Sequence, residues 1–588
     1  MSNGRQAVRE VPRIGVFVCH CGSNIAGHVD VGAVAEYARH LPGVVFVQEN
    51  MYTCSDAGLS EIKTAIVDER LERVVVAACT PRTHEPLFQE TCREAGLNPY
   101  LFEFVNIRDQ CSWVHMREPE AATRKAMDLV RMGVAKARLL APLEEQEVAV
   151  EPAALVVGGG MIGMTAALNL ANRGFEVKLV EREPQLGGLL LRLDRLYPTQ
   201  DDALPQVEAR IAEVESNPRI EVFTSSVLHE VKGFVGNYDV VICDREGRQS
   251  SFKIGAIIVA TGARVFRPEG MYGYDGKRVI TQLELESLLA ESRRRQAGTK
   301  EQGSRGNLRS AISDLRFVVM IQCVGARTPE RPYCSRICCT TAIKNGLEIK
   351  SLCPDAEVYI LYRDTETQGT RYEAYYTRAR EAGIQFIRYS PQCPPEVFEE
   401  RVVVYDRSMG AKLGIPYDLV VLSTPLVAHE DARELARLLK VPVDEHGFFL
   451  EAHVKLRPLD FATDGIYVAG VARWPGHLEE TIAQAYGAAA RAATVLSKDH
   501  VTSSGVVARV NETLCRGCGR CVEICEFGAP SLVEVSPGVE VARVNPVMCK
   551  GCGACASVCP TGAMDACHFT DEQITAMVRA ALREVVTR

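Results

Sequence analysis

Two cysteine runs near the carboxyl end, Cys515-Cys518-Cys521-Cys525 and Cys549-Cys552-Cys555-Cys559, share the spacing C-x2-C-x2-C-x3-C. Thiolates spaced in this way hold [4Fe-4S] clusters, and in a doubled run the fourth cysteine of each set ligates the cluster of the other. Cys559 is therefore assigned with Cys515, Cys518 and Cys521, and Cys525 with Cys549, Cys552 and Cys555. Structural zinc favours separated cysteine pairs over two runs of four, so iron is the better reading. Pro560 follows the second run as the pattern expects, while Glu526 stands where the first run would carry a proline. Residues 505–568 are thus expected to fold around two one-electron centres, followed by a helix over 570–588.

The remaining composition says where such a module operates. The 588 residues suggest about three to five domains, and 47% apolar with 24% charged residues is ordinary globular material. Sixty-seven basic against 75 acidic side chains leave a net charge of -8, so no global positive field favours nucleic acid or an anionic membrane. The stretch MSNGRQAVREVPR has no apolar core ahead of a small-residue cleavage site, which points to the cytoplasm. In a reducing compartment, clustered members of a set of 22 cysteines are metal ligands or redox centres rather than cross-links. The most apolar stretch, Leu155 to Ala171, is broken by glycines, and no membrane span is expected.

A dinucleotide site opens at Leu155. A short apolar strand runs into Gly158, Gly160 and Gly163, then a helix, then the strand FEVKLVE ending at Glu181. In that context the glycines give a tight turn, close approach of the backbone to a pyrophosphate and close packing of helix on strand, and the acid accepts from ribose hydroxyls. The pair Gly187 and Gly188 resembles the second glycine pair of flavoproteins with two dinucleotide domains, which favours FAD. The strand AIIVATGA with Ala260, Thr261 and Gly262, and TDGIYVAG ending at Gly470, resemble the returning strand and terminal flavin motif of thioredoxin-reductase-like proteins. Val471 stands where those proteins carry an aspartate for the ribityl chain, so ribityl contacts are expected from backbone near Gln484 and Ala485.

Such reductases carry a second glycine-rich loop for a nicotinamide nucleotide. Here FVVMIQ is followed instead by Cys323, and then by Cys334, Cys338 and the adjacent Cys339, before a helix and another strand. Four thiols at one strand-to-helix turn can hold a [4Fe-4S] cluster, the helix N-terminus lowering thiol pKa. Buried packing is the plain alternative for single cysteines, and it is the reading taken for Cys92, Cys111, Cys243, Cys353, Cys393 and Cys567. Toward the N-terminus, Cys19 and Cys21 follow a first strand, Cys54 a second and Cys79 a third in an alternating β/α pattern. Parallel topology gathers such loops at one sheet edge, so these four suit a further cluster or a redox-active thiol pair. His84 belongs to the same edge and is read as structural. The segment 267–316, with its run SRRRQAGTKEQGSRGN, is read as a surface insertion. In the final helix, Thr570 and Gln573 form a capping box, and Ile574, Met577, Val578, Ala581, Leu582 and Val585 form an apolar stripe expected to pack on the chain's own body.

The stretches CHCGSNIAG, CTPRTHEPLF, NPYLFEFVNIRDQCSWVH, GFFLEAHVKLRP and HFTDEQI, with the cysteines from 323 to 339, resemble HdrA, the iron–sulfur flavoprotein of heterodisulfide reductase, over nearly the whole chain. The resemblance implies an α/β fold: an N-terminal parallel α/β domain over 1–145, a thioredoxin-reductase-like FAD domain over 150–500 with a [4Fe-4S] site, and a C-terminal two-cluster ferredoxin domain. It further implies a flavin that splits electron pairs between acceptors of different potential. The implied partners are the other subunits of such a complex, a donor dehydrogenase or hydrogenase, a ferredoxin, and a second copy in a homodimer. Archaeal members carry an inserted ferredoxin, whereas 267–316 contains no cysteine, so that branch is absent here. Two other readings are a stand-alone NAD(P)H oxidoreductase like the small subunit of glutamate synthase, and a peripheral subunit of a quinone-linked membrane complex.

Overall fold

A computed structural model describes residues 11–296, 312, 315–368 and 370–582, in two units: Met1–Glu147 with Thr502–Arg588, and Val148–Val501. The N-terminal stretch through Glu10, the segment 297–311 and Val585 lie outside the described residues, so the readings made there have no structural counterpart.

The first unit begins with four strands, β1 (Ile14–Cys19), β2 (Val44–Asn50), β3 (Arg73–Ala78) and β4 (Phe102–Asn106), all parallel in the order β2-β1-β3-β4. IGVFVC is buried at every position, as a strand covered on both faces must be. The crossovers are α1 (Val31–Arg39), α2 (Asp56–Asp68) and α3 (Pro81–Glu94), and α4 (Pro119–Ala137) closes one face. Asp30 and Ser55 cap α1 and α2 by accepting from the N–H groups of Ala33 and Gly58. Parallel topology then leaves the β1, β2 and β3 exits at one edge.

The second unit contains two five-stranded parallel sheets. In the first, β5 (Ala153–Val157), β6 (Glu176–Val180), β7 (Ile220–Phe223), β8 (Ala256–Val259) and a late strand, Ile466–Val468, are arranged with Ile466–Val468 beside β8, then β5, β6 and β7. Helix α5 (Met161–Ala171) connects β5 to β6 and packs in a largely aliphatic core. The second sheet uses β9 (Val279–Thr281), β10 (Phe317–Ile321), β11 (Glu357–Tyr362), β12 (Gln385–Arg388) and β13 (Leu419–Leu422), in the order β9-β13-β10-β11-β12.

The surface-insertion reading of 267–316 needs correction. Val279, Ile280 and Thr281 are buried and pair with β13, and helix α6 (Gln282–Gln296) buries Leu285 and Leu289 completely. The charged tail of the segment concealed an amphipathic helix, because Leu283, Leu285 and Leu289 alternate with Glu284 and Glu286 and blur the helical period. Helices α7 (Cys338–Leu352) and α8 (Leu478–Leu496) complete the elements that carry candidate site residues in this unit.

The chain then returns to the first unit. Ala508–Val510 pairs antiparallel with Met564–Ala566, and Pro530–Ser536 with Val539–Val544, forming a small module around the two cysteine runs. The last helix, α9 (Asp571–Leu582), lies against α4: Arg131 Nε donates to the Ala580 carbonyl at 2.8 Å and Gln573 Nε2 to the Leu139 carbonyl at 3.0 Å. The capping box forms in both directions, the Thr570 N–H donating to Gln573 Oε1 at 2.9 Å and the Gln573 N–H to Thr570 Oγ1 at 3.3 Å. The stripe does not pack as expected. Ile574, Val578 and Leu582 are about half exposed, while Gln573 and Ala580 are the buried positions, because close approach to α4 selects a small residue and a hydrogen-bonded amide.

Candidate functional site

The flavin-type cradle is built around two glycines, Gly158 and Gly163, that no other residue could replace. A Cβ on Gly163 would lie 1.8 Å from the Gly158 carbonyl oxygen, and one on Gly158, where φ is +111°, would lie 2.4 Å from the Ala260 oxygen. Gly160 instead faces open space, with nothing within 4 Å of its Cβ direction, and α5 begins there with no side-chain cap. Uncapped N–H groups beside a clear approach suit a pyrophosphate. Gly187 and Gly188 lie against this loop, the Gly187 N–H donating to the Gly159 carbonyl at 2.9 Å. Glu181 is buried, its Oε2 accepting from the Gly159 N–H at 2.6 Å and its Oε1 from the Glu183 N–H at 2.8 Å. Each oxygen keeps a lone pair for a ribose hydroxyl.

Ala260, Thr261 and Gly262 leave β8 beside Gly158, and Gly470 leaves Ile466–Val468 on the same sheet. Gln484 Oε1 accepts from the Gly470 N–H at 3.0 Å, so the side chain of Gln484 reaches this edge. Ala485 does not serve as expected. It is fully buried against α5 and sits past the first turn of α8, where its backbone N–H is committed to the helix.

Cys323 follows β10, and Cys338 and Cys339 open α7, which brings the ends of the motif together with Cys334. Burial, then Cys339, Cys323 and Cys334, push the Cys338 thiol well above its ordinary range. Burial, with Cys323 and Cys334, pushes Cys339 up to about 12. The expected lowering by the helix N-terminus is thus overridden by desolvation as long as no iron takes the proton's place. Cys323 has a left-handed backbone, φ +61°, and the Arg336 N–H donates to Cys334 Sγ at 3.3 Å. An aromatic wall of Tyr333, Phe448 and Trp474 stands next to this turn, with Val471 among the residues packed on it.

At the edge of the first sheet, the Cys21 and Thr53 N–H groups donate to Cys19 Sγ at 3.3 and 3.4 Å. Burial and then Cys19 and Cys21 push the Cys54 thiol up, and Cys79, raised first by burial, also feels Cys21 and Cys19. All four thiols therefore converge. Sequence reasoning missed Arg108, which lies on a π turn (Arg108–Ser112), donates to Cys21 Sγ at 3.8 Å and stacks over Trp113 at 4.7 Å. The signal was present in the stretch NIRDQCSWVH, but only the fold brings that loop to the thiols. His84 lies within α3, partly exposed.

In the C-terminal module, Cys515, Cys518, Cys521 and Cys559 line one cavity together with Leu532 and Ala542. The Cys555 thiol, raised to about 11 mainly by burial, feels Cys549, Cys525 and Cys552. The exchange of fourth cysteines between runs is what these neighbourhoods support. Matching amides face the first cysteine of each run, Ala542 N–H to Cys515 Sγ and Ala508 N–H to Cys549 Sγ, both at 3.3 Å. Among the described residues no three His, Cys, Asp or Glu side chains stand close enough to hold a single metal ion. The donors at these sites are thiols, the ligands that iron–sulfur clusters take.

Residues 150–296 match the family model of the pyridine nucleotide-disulphide oxidoreductases, and residues 514–563 that of the 4Fe-4S dicluster domain. The HdrA component of the H(2):CoB-CoM heterodisulfide,ferredoxin reductase of Methanothermobacter marburgensis is 39% identical, over 100% of both chains. The chain belongs to the HdrA family of heterodisulfide reductase components. An HdrA iron-sulfur component of the CoB–CoM heterodisulfide reductase of Methanopyrus kandleri is 40% identical over 89% of this chain and 92% of its own. Among solved structures, thioredoxin reductase from Lactococcus lactis covers 59% of the chain and 97% of its own at 17% identity and a TM-score of 0.40. As a member of this family, the chain is an oxidoreductase and a flavin and iron–sulfur electron-transfer subunit, with a pyridine nucleotide-disulphide oxidoreductase domain and a dicluster domain. Among the described residues no helix is long and apolar enough to cross a membrane.

Proposed function

We propose that this protein relays electrons within a cytoplasmic heterodisulfide-reductase-like complex, between a donor dehydrogenase or hydrogenase and acceptors of two potentials, one of them a ferredoxin. The observation that carries this reading is the set of thiols at the turn between β10 and α7, where a nucleotide-binding loop would otherwise lie. FAD would be held by Gly158, Gly160, Gly163, Glu181, Gly187 and Gly188, with Ala260 to Gly262, Gly470 and Gln484 at the same sheet edge. When bound, the flavin supplies the exchange between paired and single electrons.

The chain's own residues do the rest. Uncapped N–H groups at the start of α5 would orient the pyrophosphate and Glu181 would fix the ribose, while Tyr333, Phe448 and Trp474 pack beside the thiol turn. Cys323, Cys334, Cys338 and Cys339 would hold one cluster, Cys19, Cys21, Cys54 and Cys79 another in the N-terminal domain, and the two doubled runs one each with their fourth cysteines exchanged. Relatives are named as components of complexes with hydrogen, ferredoxin or F420 couples, which supports partner subunits for this chain.

Anaerobic purification from the native host, with flavin and iron counted and co-eluting chains identified, tests the proposal. Roughly sixteen irons and one flavin per chain are expected. Only the irons of the C-terminal module, together with tight nicotinamide binding by the isolated chain, would refute it. Stopped-flow reduction with the donor protein bound tests the splitting: departure of both electrons to acceptors of a single potential would exclude it.

A further inference from the structure

The thiol turn beside the flavin cradle is flanked by the guanidinium groups of Arg327 and Arg363. β10 and β11 pair in parallel from Phe317 opposite Glu357 to Ile321 opposite Leu361, so the same register places Arg363 alongside Cys323. The ladder holds up to that point, since the Gln322 N–H donates to the Leu361 carbonyl at 2.9 Å. Arg363 Nη1 donates to the Arg327 carbonyl at 3.0 Å, which ties the β11 exit to the loop after Cys323. Arg327 Nη2 donates to one oxygen of Asp364 and Arg388 Nη2 to the other, each at 2.8 Å, and Arg388 Nε donates to the Arg363 carbonyl at 2.9 Å. On the far side of the same loop, Cys339 Sγ approaches the Asp364 carbonyl at 3.7 Å.

Two guanidinium groups, those of Arg327 and Arg388, therefore hold the Asp364 carboxylate, and a third, that of Arg363, is tied to the same loop next to two of the four thiols. Arg363 Nε is buried and has no hydrogen-bond acceptor, an uncompensated donor of the kind a sulfur ligand would satisfy. Arginine stays protonated in proteins, so this charge is permanent.

Resting on the assignment of a cluster to Cys323, Cys334, Cys338 and Cys339, we propose that Arg363 and Arg327 form a cationic clamp that raises the reduction potential of that cluster. Each electron the centre accepts from the reduced flavin adds one negative charge to the thiolate-bound iron. Standing positive charge stabilises the reduced form more than the oxidised form, and does so strongly where water is excluded. The charge is balanced without proton uptake by the clamp. The centre next to the flavin would then be the more easily reduced acceptor, with the low-potential branch elsewhere in the chain or its partners.

The test is an anaerobic redox titration of the full chain followed by electron paramagnetic resonance, with Cys334→Ser identifying the signal that belongs to this cluster. In Arg363→Gln its midpoint should move to more negative potential, while the dicluster signals and the iron count stay at their unsubstituted values. Arg363→Lys, which keeps the charge, should titrate close to the unsubstituted chain. A fully iron-loaded Arg363→Gln protein with an unmoved midpoint would overturn the clamp, as would an equal shift in Arg363→Lys. So would NADPH binding to the unsubstituted chain that Arg363→Gln abolishes, since arginine at the end of a second Rossmann strand can also read a 2′-phosphate. If the unsubstituted chain has no signal sensitive to Cys334→Ser, the cluster assignment itself has failed, a result distinct from an unmoved midpoint.

Discussion

At the scale of single residues, the flavin cradle is decided by hydrogen atoms. Because a methyl group on residue 163 would sit 1.8 Å from a carbonyl oxygen, α5 could not keep its approach to the β5 turn. Gly163→Ala should therefore be purified with most of its flavin missing, read from the visible absorbance, while its iron–sulfur signals persist in the dicluster module. His429 offers a second residue-level test. Burial, then the guanidinium of Arg182, whose Nη2 lies 2.7 Å from Nδ1, push this imidazole down to about 4. The unfolded chain takes up its proton near 6.5 and the folded chain not until about 4, so between those values the unfolded state binds more protons. Stability contributed by neutral His429 is present above pH 6.5 and lost as pH falls from there toward 4. His429→Gln should flatten that part of the profile, measured as the difference in unfolding temperature between variant and parent at several pH values from about 4.5 to 7.

At the scale of elements, α9 shows why helical periodicity alone misplaces a face. Ile574, Val578 and Leu582 follow the period, yet they are about half exposed, and the buried side is set by Gln573 and Ala580 against α4. Replacing Ile574 or Val578 with serine should change stability by no more than about 0.5 kcal/mol. Gln573→Ala, which removes one arm of the capping box and the bond to the Leu139 carbonyl, should cost about 1 kcal/mol or more by chemical denaturation. Equal effects at the two faces would contradict the observed packing. The same logic separates what the sequence makes legible from what it hides. The two C-x2-C-x2-C-x3-C runs and the turn from β5 to α5 are local, with ligands and glycines a few residues apart, and so their neighbourhoods could be anticipated. The convergence of Cys19, Cys21, Cys54 and Cys79 follows from parallel topology, which alternating β-branched runs announce. β9 and α6 were hidden because three buried strand residues and a helix with interleaved glutamates precede a charged run. Arg108, Arg327 and Arg363 were invisible because a guanidinium near a thiol is a tertiary fact, fixed by a π turn in one case and by strand register in the other.

At the scale of the whole molecule, the order of the chain differs from its division into units. A linear reading makes the dicluster module a detachable C-terminal domain, whereas it belongs to one unit with the N-terminal sheet. Tyr100 is almost completely buried with Leu143 and Cys567, and its hydroxyl accepts from the Gly505 N–H at 2.7 Å. Lys136 is 3% exposed, pairs with Glu103 at 2.8 Å and lies over the ring of Phe569 at 4.0 Å, while His568 Nε2 stands 3.5 Å from the same glutamate. Deleting residues 502–588 would strip these partners from α4 and β4 and uncover a buried lysine–glutamate pair, whose charges are costly once their surroundings are incomplete. Hydrogen exchange on the chain ending at residue 501 should show protection lost over Pro119–Ala137 and around Tyr100, with the two sheets of Val148–Val501 protected as before. If α4 keeps its protection in the shortened chain, the module is an appendage and the first unit does not depend on it. If protection is lost there, any event that loosens the dicluster module also loosens the sheet whose edge carries Cys19, Cys21, Cys54 and Cys79.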